Sequence, residues 1–337
     1  MALLSSQFAD ALVAIEPSED DKENAPKAHA EVRDVLTSAA NLKDWGLSPV
    51  LIGSYKRDVS IRRVKDVDVF CRMEDIGSDV TEASVLDRYY TALDVSFGTD
   101  ANGNRRVHRQ ARSLKIEFPE FDDLHVDAVP ARRRSDGYWE IPTRDGGWQQ
   151  TNPEELTNLK TAMNDDFGGN YVKLVKLIRQ TRRTIVGHDT KPGGLFVELA
   201  LYDACRGGLV SKDGLAIGYV NGLEAIADYL RDKVAWERTL PDPTMPGHTL
   251  SFQATDKQWE TASDKFRSAA TDARQAYDED DPGKAALILQ ELLGENGDGE
   301  TVFPMPPGYG DDGTKAKTAF AITPGLRRVP AGDHRFG

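Results

Sequence analysis

Hydrophobic positions in the first forty residues recur at helical spacing. Phe8, Leu12 and Ile15 lie four and three apart, and Val32, Val35 and Leu36 form a second stripe. Pro17 and Pro26 punctuate this stretch. Ser18 followed three residues on by Asp21 is a capping signal, so a break near 16–18 and a fresh helix are predicted. Asn41 to Pro49 reads as an exit loop, after which the period shortens to two: Pro49 to Ile52 as a short strand, Gly53-Ser54 as a tight turn, Val64 to Arg72 as a strand. Leu93 to Phe97, Arg105 to Phe118 and Leu124 to Val129 read as further extended stretches. From Glu154 onward the runs are helical: Tyr171 to Val186, Leu195 to Cys205, Tyr219 to Lys233, Gln258 to Tyr277 and Lys284 to Leu293. A mixed half is thus followed by a helical half, with the join near 140–165. After Gly294, glycine, proline and aspartate accumulate, and Ala319 to Gly337 has no sustained period, which predicts a mobile or loosely docked tail. No repeat of 20 to 50 residues is visible.

The 337 residues suit two domains at roughly 150 residues each. A hydrophobic share of 39%, with 29 glycines besides, is that of an ordinary globular chain and excludes disorder throughout. Apolar runs such as Ala285 to Leu289 fall far short of the ~18 to 20 residues of a membrane span. The first basic residue is Lys22, so no charged segment precedes an apolar one. Cys71 and Cys205 stand far apart in apolar surroundings, against a disulfide framework or a cysteine zinc site. The expectation is a cytoplasmic protein, with no membrane partner. A net charge of −13 disfavours coating of duplex nucleic acid and leaves room for small anions in a local basic pocket.

The chemistry concentrates in Gly53-Ser54-Tyr55-Lys56-Arg57 and the later Asp66-Val67-Asp68-Val69-Phe70. Side chains two apart on a strand share a face, so Asp66 and Asp68 point together while Val67, Val69 and Cys71 face the core. Leu124-His125-Val126-Asp127-Ala128-Val129 repeats the arrangement, and Asp127 joins the pair if the strands are neighbours. Three clustered carboxylates repel one another unless a cation compensates, which makes an oxygen-ligated divalent metal the natural tenant, Mg²⁺ first. Two such ions, roughly 3.5 to 4 Å apart, can activate an attacking hydroxyl and steady a leaving pyrophosphate. Gly53 allows close approach of backbone N–H groups to phosphate, Ser54 adds a hydroxyl donor, and Lys56 and Arg57 add positive charge.

At these residues the sequence resembles the DNA polymerase β-type nucleotidyltransferases, whose signature is GS, a spaced DxD and a third acidic residue on a later strand. Gly53-Ser54-Tyr55-x-Arg57 with Ile61-Arg62 narrows the resemblance to the CD-NTases, the bacterial cyclic oligonucleotide synthases of CBASS anti-phage signalling, relatives of oligoadenylate synthase and cyclic GMP-AMP synthase. Where their motif commonly continues Gly-Thr, this chain has Asp58-Val59. The likeness runs over most of residues 5 to 305, through Trp139-Glu140-Ile141-Pro142, the stretch from Gly147 to Pro153, and Leu174-Val175-Lys176-Leu177-Ile178 followed by Lys191-Pro192-Gly193-Gly194-Leu195.

The resemblance implies an α+β fold: a polymerase-β-like core with a mixed sheet (1–150 with the N-terminal helices), a helical lobe (151–305) across the active-site cleft, and a flexible tail (306–337). It implies catalytic and metal-binding roles for Asp66, Asp68 and Asp127, with two Mg²⁺ ions or Mn²⁺, and nucleotide binding by Gly53, Ser54, Lys56, Arg57, Lys176 and Lys191. The activity implied is conversion of NTPs to a cyclic di- or oligonucleotide read by a separate effector. Operon-encoded proteins acting on the C-terminus, which ends Arg335-Phe336-Gly337, are possible partners. Alternatives are a transferase of the same scaffold making linear products or modifying an RNA or small acceptor, and a non-catalytic nucleotide sensor. Asp278-x-Asp280-x-Pro282-Gly283 reads as a helix-starting turn rather than a calcium loop, because Leu289 stands where a bidentate Glu is needed. The basic runs at Arg105 to Lys115 and Arg132 to Arg134 read as solvated edges, the alternative being a surface that faces an acceptor nucleotide or an RNA-like intermediate, and His125 reads as a hydrogen-bonding neighbour of Asp127.

Overall fold

The computed structural model describes residues 4–143 and 146–316. Helix α1 (Ser5–Ile15) ends at the break before Pro17, and α2 (Glu19–Ser38) opens on the capping box read from sequence. Ser18 Oγ accepts from the Asp21 N–H at 3.0 Å, and Asp21 accepts from the Ser18 N–H at 2.9 Å. Pro26 does not end α2, because Ala25, Ala28, Val32 and Leu36 bury one face of the helix and tertiary packing outweighs the missing donor. The exit loop contains a single 3-10 turn, Lys43–Trp45, and strand β1 (Leu47–Ile52) starts two residues before Pro49.

Gly53-Ser54 opens not a tight turn but one turn of helix, α3 (Gly53–Lys56). Strand β2 (Asp66–Met73) follows, then α4 (Glu82–Phe97). Helix α4 overturns the extended reading of Leu93 to Phe97. Val85, Tyr89, Ala92 and Leu93 are its buried face, a 3.6-residue stripe that begins upstream of the apolar cluster. The expected strand from Arg105 to Phe118 is a hairpin of β3 (Val107–Arg109) and β4 (Leu114–Phe118), and β5 (Leu124–Arg133) carries Asp127. Strands β6 (Trp139–Pro142) and β7 (Trp148–Thr151) extend the sheet from the far end of β5. The sheet order is β1-β2-β5-β4-β3, antiparallel except that β2 and β5 run parallel.

The helical half comprises α5 (Pro153–Asp166), α6 (Tyr171–Val186), α7 (Gly194–Arg206), α8 (Leu215–Trp236), α9 (Asp256–Asp278) and α10 (Pro282–Leu293), with a two-rung hairpin of β8 (Leu240–Pro241) and β9 (Thr249–Leu250). Asp281 caps α10 through the Gly283 and Lys284 N–H groups, so the Asp278 to Gly283 segment is the helix start that its sequence suggests.

Two large cores divide the molecule. One lies under the sheet, where α2 and α4 cover Val67, Val69, Cys71, Val126 and Ala128. The other fills the helical body and includes Phe8, Ala11 and Ile15 of α1. The first helix therefore belongs with the helical body rather than with the sheet, in contrast to the 1–150 grouping. The tail expected from 306 onward is partly docked: Tyr309 and Gly313 pack on Gly283, and Tyr309 bridges to Lys315. The expected tail from Ala319 and its Arg335-Phe336-Gly337 end lie outside the described residues.

Candidate active site

Alternation on β2 puts Val67, Val69 and Cys71 into the core and leaves Asp66 and Asp68 on the opposite face. The parallel register of β2 and β5 sets Asp68 directly beside Asp127, and Asp66 beside His125. Ile52, the last residue of β1, pairs with Asp68 from the other side, so the chain turns into Gly53 directly over that carboxylate. Gly53 has φ +74°, and a Cβ there would lie 1.8 Å from Asp68 Oδ2. Only a glycine permits this approach. The Ser54 hydroxyl is 3.1 Å from that of Ser60.

Gly53, Ser54, Ser60, Asp66 and Asp68 floor a cavity of about 640 Å³ between the sheet and the helical body, with Asp127 beside Asp68 on the next strand and outside the lining itself. Gly53, Ser54, Asp66 and Asp68 line one side, and Arg179, Arg182, Arg183 and Lys191 line the other. Burial, then Asp66 and Asp127, raises the Asp68 carboxyl to about 7 against the opposing pull of Arg57 and Arg179. Burial and Asp66 raise Asp127 to about 6, against Lys115. His125 is lowered by burial and by Lys115.

The donors are all carboxylate oxygens, which suits a hard divalent cation. Asp127 Oδ1 is buried without a hydrogen-bond partner, an orphaned lone pair of the kind a cation satisfies. Among the described residues, no three acidic, histidine or cysteine side chains already close on one point at ligating spacing. The residues thus fit a divalent metal in donor type and in unmet electrostatic demand.

Arg182 shows the opposite imbalance. It is 6% exposed and donates to the Pro192 and His188 carbonyls, and its Nη2 is buried without a partner. Burial, with Arg179 and Arg183 beside it, lowers its pKa to about 10. Sequence reasoning missed these three arginines. Their i, i+3, i+4 spacing on α6 was the available signal.

Of the residues expected to bind nucleotide, the structure brings Gly53, Ser54, Arg57 and Lys191 to the cavity. Arg57 is only 4% exposed, and its guanidinium is held by Glu198 at 2.6 and 2.9 Å. Lys56 is exposed and stands outside the cavity lining. Lys176, expected to contact phosphate, is also outside it: the lysine is 3% exposed and ion-paired with Glu16 and Asp58. Arginines 105, 106, 109, 132, 133 and 134 each bond to an acidic side chain of the chain itself; Arg105, Arg109, Arg133 and Arg134 do so at the surface, whereas Arg106 and Arg132 are largely buried, in contrast to the solvated-edge expectation.

A GS turn, three carboxylates on adjacent strands and a basic cleft beneath a helical lobe define a nucleotidyltransferase of the polymerase-β type. Residues 1–164 match the family of the Second Messenger Oligonucleotide or Dinucleotide Synthetase domain. A curated relative, the cyclic AMP-AMP-AMP synthase of an Acinetobacter species, is 28% identical over 302 residues, 86% of this chain and 83% of the relative. The fold is shared with the Bradyrhizobium diazoefficiens CD-NTase CdnG, solved with GTP (TM-score 0.68, 17% identity, 87% of this chain and 96% of that one). It is also shared with Escherichia coli MS115-1 CdnC, solved with ATP (TM-score 0.68, 16% identity, 90% and 99%). By these comparisons the chain is similar to the CD-NTases, in sequence over residues 1–164 and in fold over most of its length. Among the described residues no helix is long and apolar enough to cross a membrane.

Proposed function

We propose that this protein joins NTPs into a cyclic di- or oligonucleotide second messenger, releasing pyrophosphate at each step, in anti-phage signalling. The observation that carries the reading is the meeting, in one cavity, of the Asp66 and Asp68 carboxylates beside Asp127 with a cluster of arginines in which Arg182 Nη2 is buried without a partner. An NTP presents that charge pattern in reverse, its phosphates suited to both a cation and guanidinium groups.

Asp66, Asp68 and Asp127 would hold divalent cations, two Mg²⁺ or Mn²⁺. Metal bound there supplies Lewis-acid polarisation of the α-phosphate and eases ionisation of the attacking hydroxyl. The chain's own residues do the rest. Gly53 brings the backbone close to the phosphates and Ser54 donates its hydroxyl. Arg179, Arg182, Arg183 and Lys191 neutralise the triphosphate. Asp127 stands beside the incoming ribose hydroxyl. The leaning of the raised Asp68 and Asp127 carboxyls toward protonation ends once a cation shares the site.

The curated relative makes cyclic AMP-AMP-AMP, so ATP is the first substrate to try, and the effector would read an adenylate ring. A structure of E. coli CdnC with a HORMA protein supports a regulatory partner for this chain as well. The test is incubation of the pure protein with labelled NTPs and Mg²⁺ or Mn²⁺, then phosphatase treatment and chromatography, beside the Asp66→Ala, Asp68→Ala double variant. A phosphatase-resistant product absent from the variant supports cyclisation. Phosphatase-sensitive ladders would move the protein to linear polymerisation.

A further inference from the structure

The segment between Ser54 and Asp66 is held from several sides. The Arg62 N–H donates to the Ile15 carbonyl at 2.7 Å, and the Arg63 and Val64 N–H groups donate to the Asp21 carboxylate. Arg57 reaches Glu198 on α7. One further contact has no part in the chemistry above. Lys176 Nζ lies 2.7 and 2.8 Å from the two Glu16 carboxylate oxygens and 3.1 Å from Asp58 Oδ1.

An ammonium has three donors, and these two carboxylates occupy them. Lys176 is buried, while Glu16 and Asp58 keep 40% and 74% of their side chains in solvent. A move of the lysine toward the cavity would exchange two anions for a site that Arg179 and Arg182 already supply with positive charge. Asp58 also accounts for the departure from Gly-Thr noted in the motif. Its φ is +57°, a conformation that suits glycine and that aspartate tolerates, and the aspartate adds a carboxylate that glycine lacks.

We propose that Lys176 is a positioning residue: clamped between Glu16 and Asp58, it fixes the Ser54-bearing turn to the helical body and does not grip phosphate. The inference rests on reading the cavity as an NTP site. A phosphate-binding lysine and a clamping lysine give opposite results when Asp58 is neutralised. Loss of Asp58 would free a phosphate ligand and tighten binding, whereas it would loosen a clamp.

The test compares wild type, Lys176→Met, Asp58→Asn and the double variant by two readouts: calorimetric affinity for α,β-methylene-ATP with Mg²⁺, and kcat and KM on ATP. Asn also tolerates the left-handed backbone, and Lys176→Arg serves as the conservative rescue. The expected result is affinity within about threefold of wild type throughout. kcat should fall about 10- to 100-fold in either single variant, as small misplacements do. The double variant should be no slower than the worse single one, because both remove the same contact. Analogue binding weakened about tenfold or more by Lys176→Met and strengthened by Asp58→Asn would overturn the proposal, as would additive losses in kcat. A wild type that binds the analogue and turns over no NTP would sink the proposed activity, while the affinities still decide the role of Lys176. A wild type that binds no nucleotide would overturn both.

Discussion

Gly53 and Asp68 define each other. The strand register ends β1 against Asp68, and the chain can only turn there because the residue that follows has no side chain. Gly53→Ala should therefore displace the Asp68 carboxylate, with a fall in turnover of about 100-fold in the NTP assay and the fold retained by circular dichroism. Asp68 also sets a pH dependence. Its carboxyl titrates at about 7 in the folded chain against an ordinary 3.8, so between those values the folded state holds the proton that the unfolded state has released. In chelator the contribution of this group to stability is greatest at low pH and declines as pH rises through that window, with Asp127 adding to the decline up to about 6. Urea unfolding at pH 5 and pH 8 measures it, and Asp68→Asn should flatten the difference and gain about 1–2 kcal/mol at pH 8. The triad was legible because alternation on a strand is a local property. Which partner a lysine chooses is not, and so Lys176 turned up in a clamp.

At the scale of elements, the segment from Arg57 to Lys65 joins the GS turn to β2 and fastens both to the helices. Its buried anchor is the Arg57–Glu198 pair, with side chains 5% and 2% exposed. Glu198→Ala would leave Arg57 charged and buried beside Arg179, and a loss of about 3–5 kcal/mol is expected in denaturant titration, with activity falling alongside. The same local logic explains what could be read of the elements. α6 spans Tyr171–Val186 as its stripe predicted, since an amphipathic helix advertises itself over many residues. Leu93 to Phe97 misled because five apolar-rich residues fit either period, and the decision came from Val85 and Tyr89 further back. The arginines of α6 escaped notice because only the folded cleft shows that their side of the helix meets Asp66 and Asp68.

For the whole molecule, the sequence showed the change from mixed to helical composition and therefore two bodies, but it did not show that α1 joins the second. That assignment depends on contacts between distant parts of the chain. Phe8 packs edge-on to Phe303 with ring centroids 5.2 Å apart, and Asn296 Nδ2 donates to the Ala14 carbonyl. Phe303 is fully buried, so Phe303→Ala should destabilise the protein by about 3–5 kcal/mol in thermal or urea unfolding.

The same closure sets the order in which the enzyme can come into being. Synthesis delivers the three aspartates early, yet the turn that carries Ser54 is braced through Arg62 and Arg63 by Asp298, and α1 is seated by Phe303. Contacts spanning nearly the whole chain form last, after the ribosome has released that part of the polypeptide. A nascent chain stopped short of residue 300 would carry every aspartate of the site without the frame that aims them, and is expected to be silent in the NTP assay.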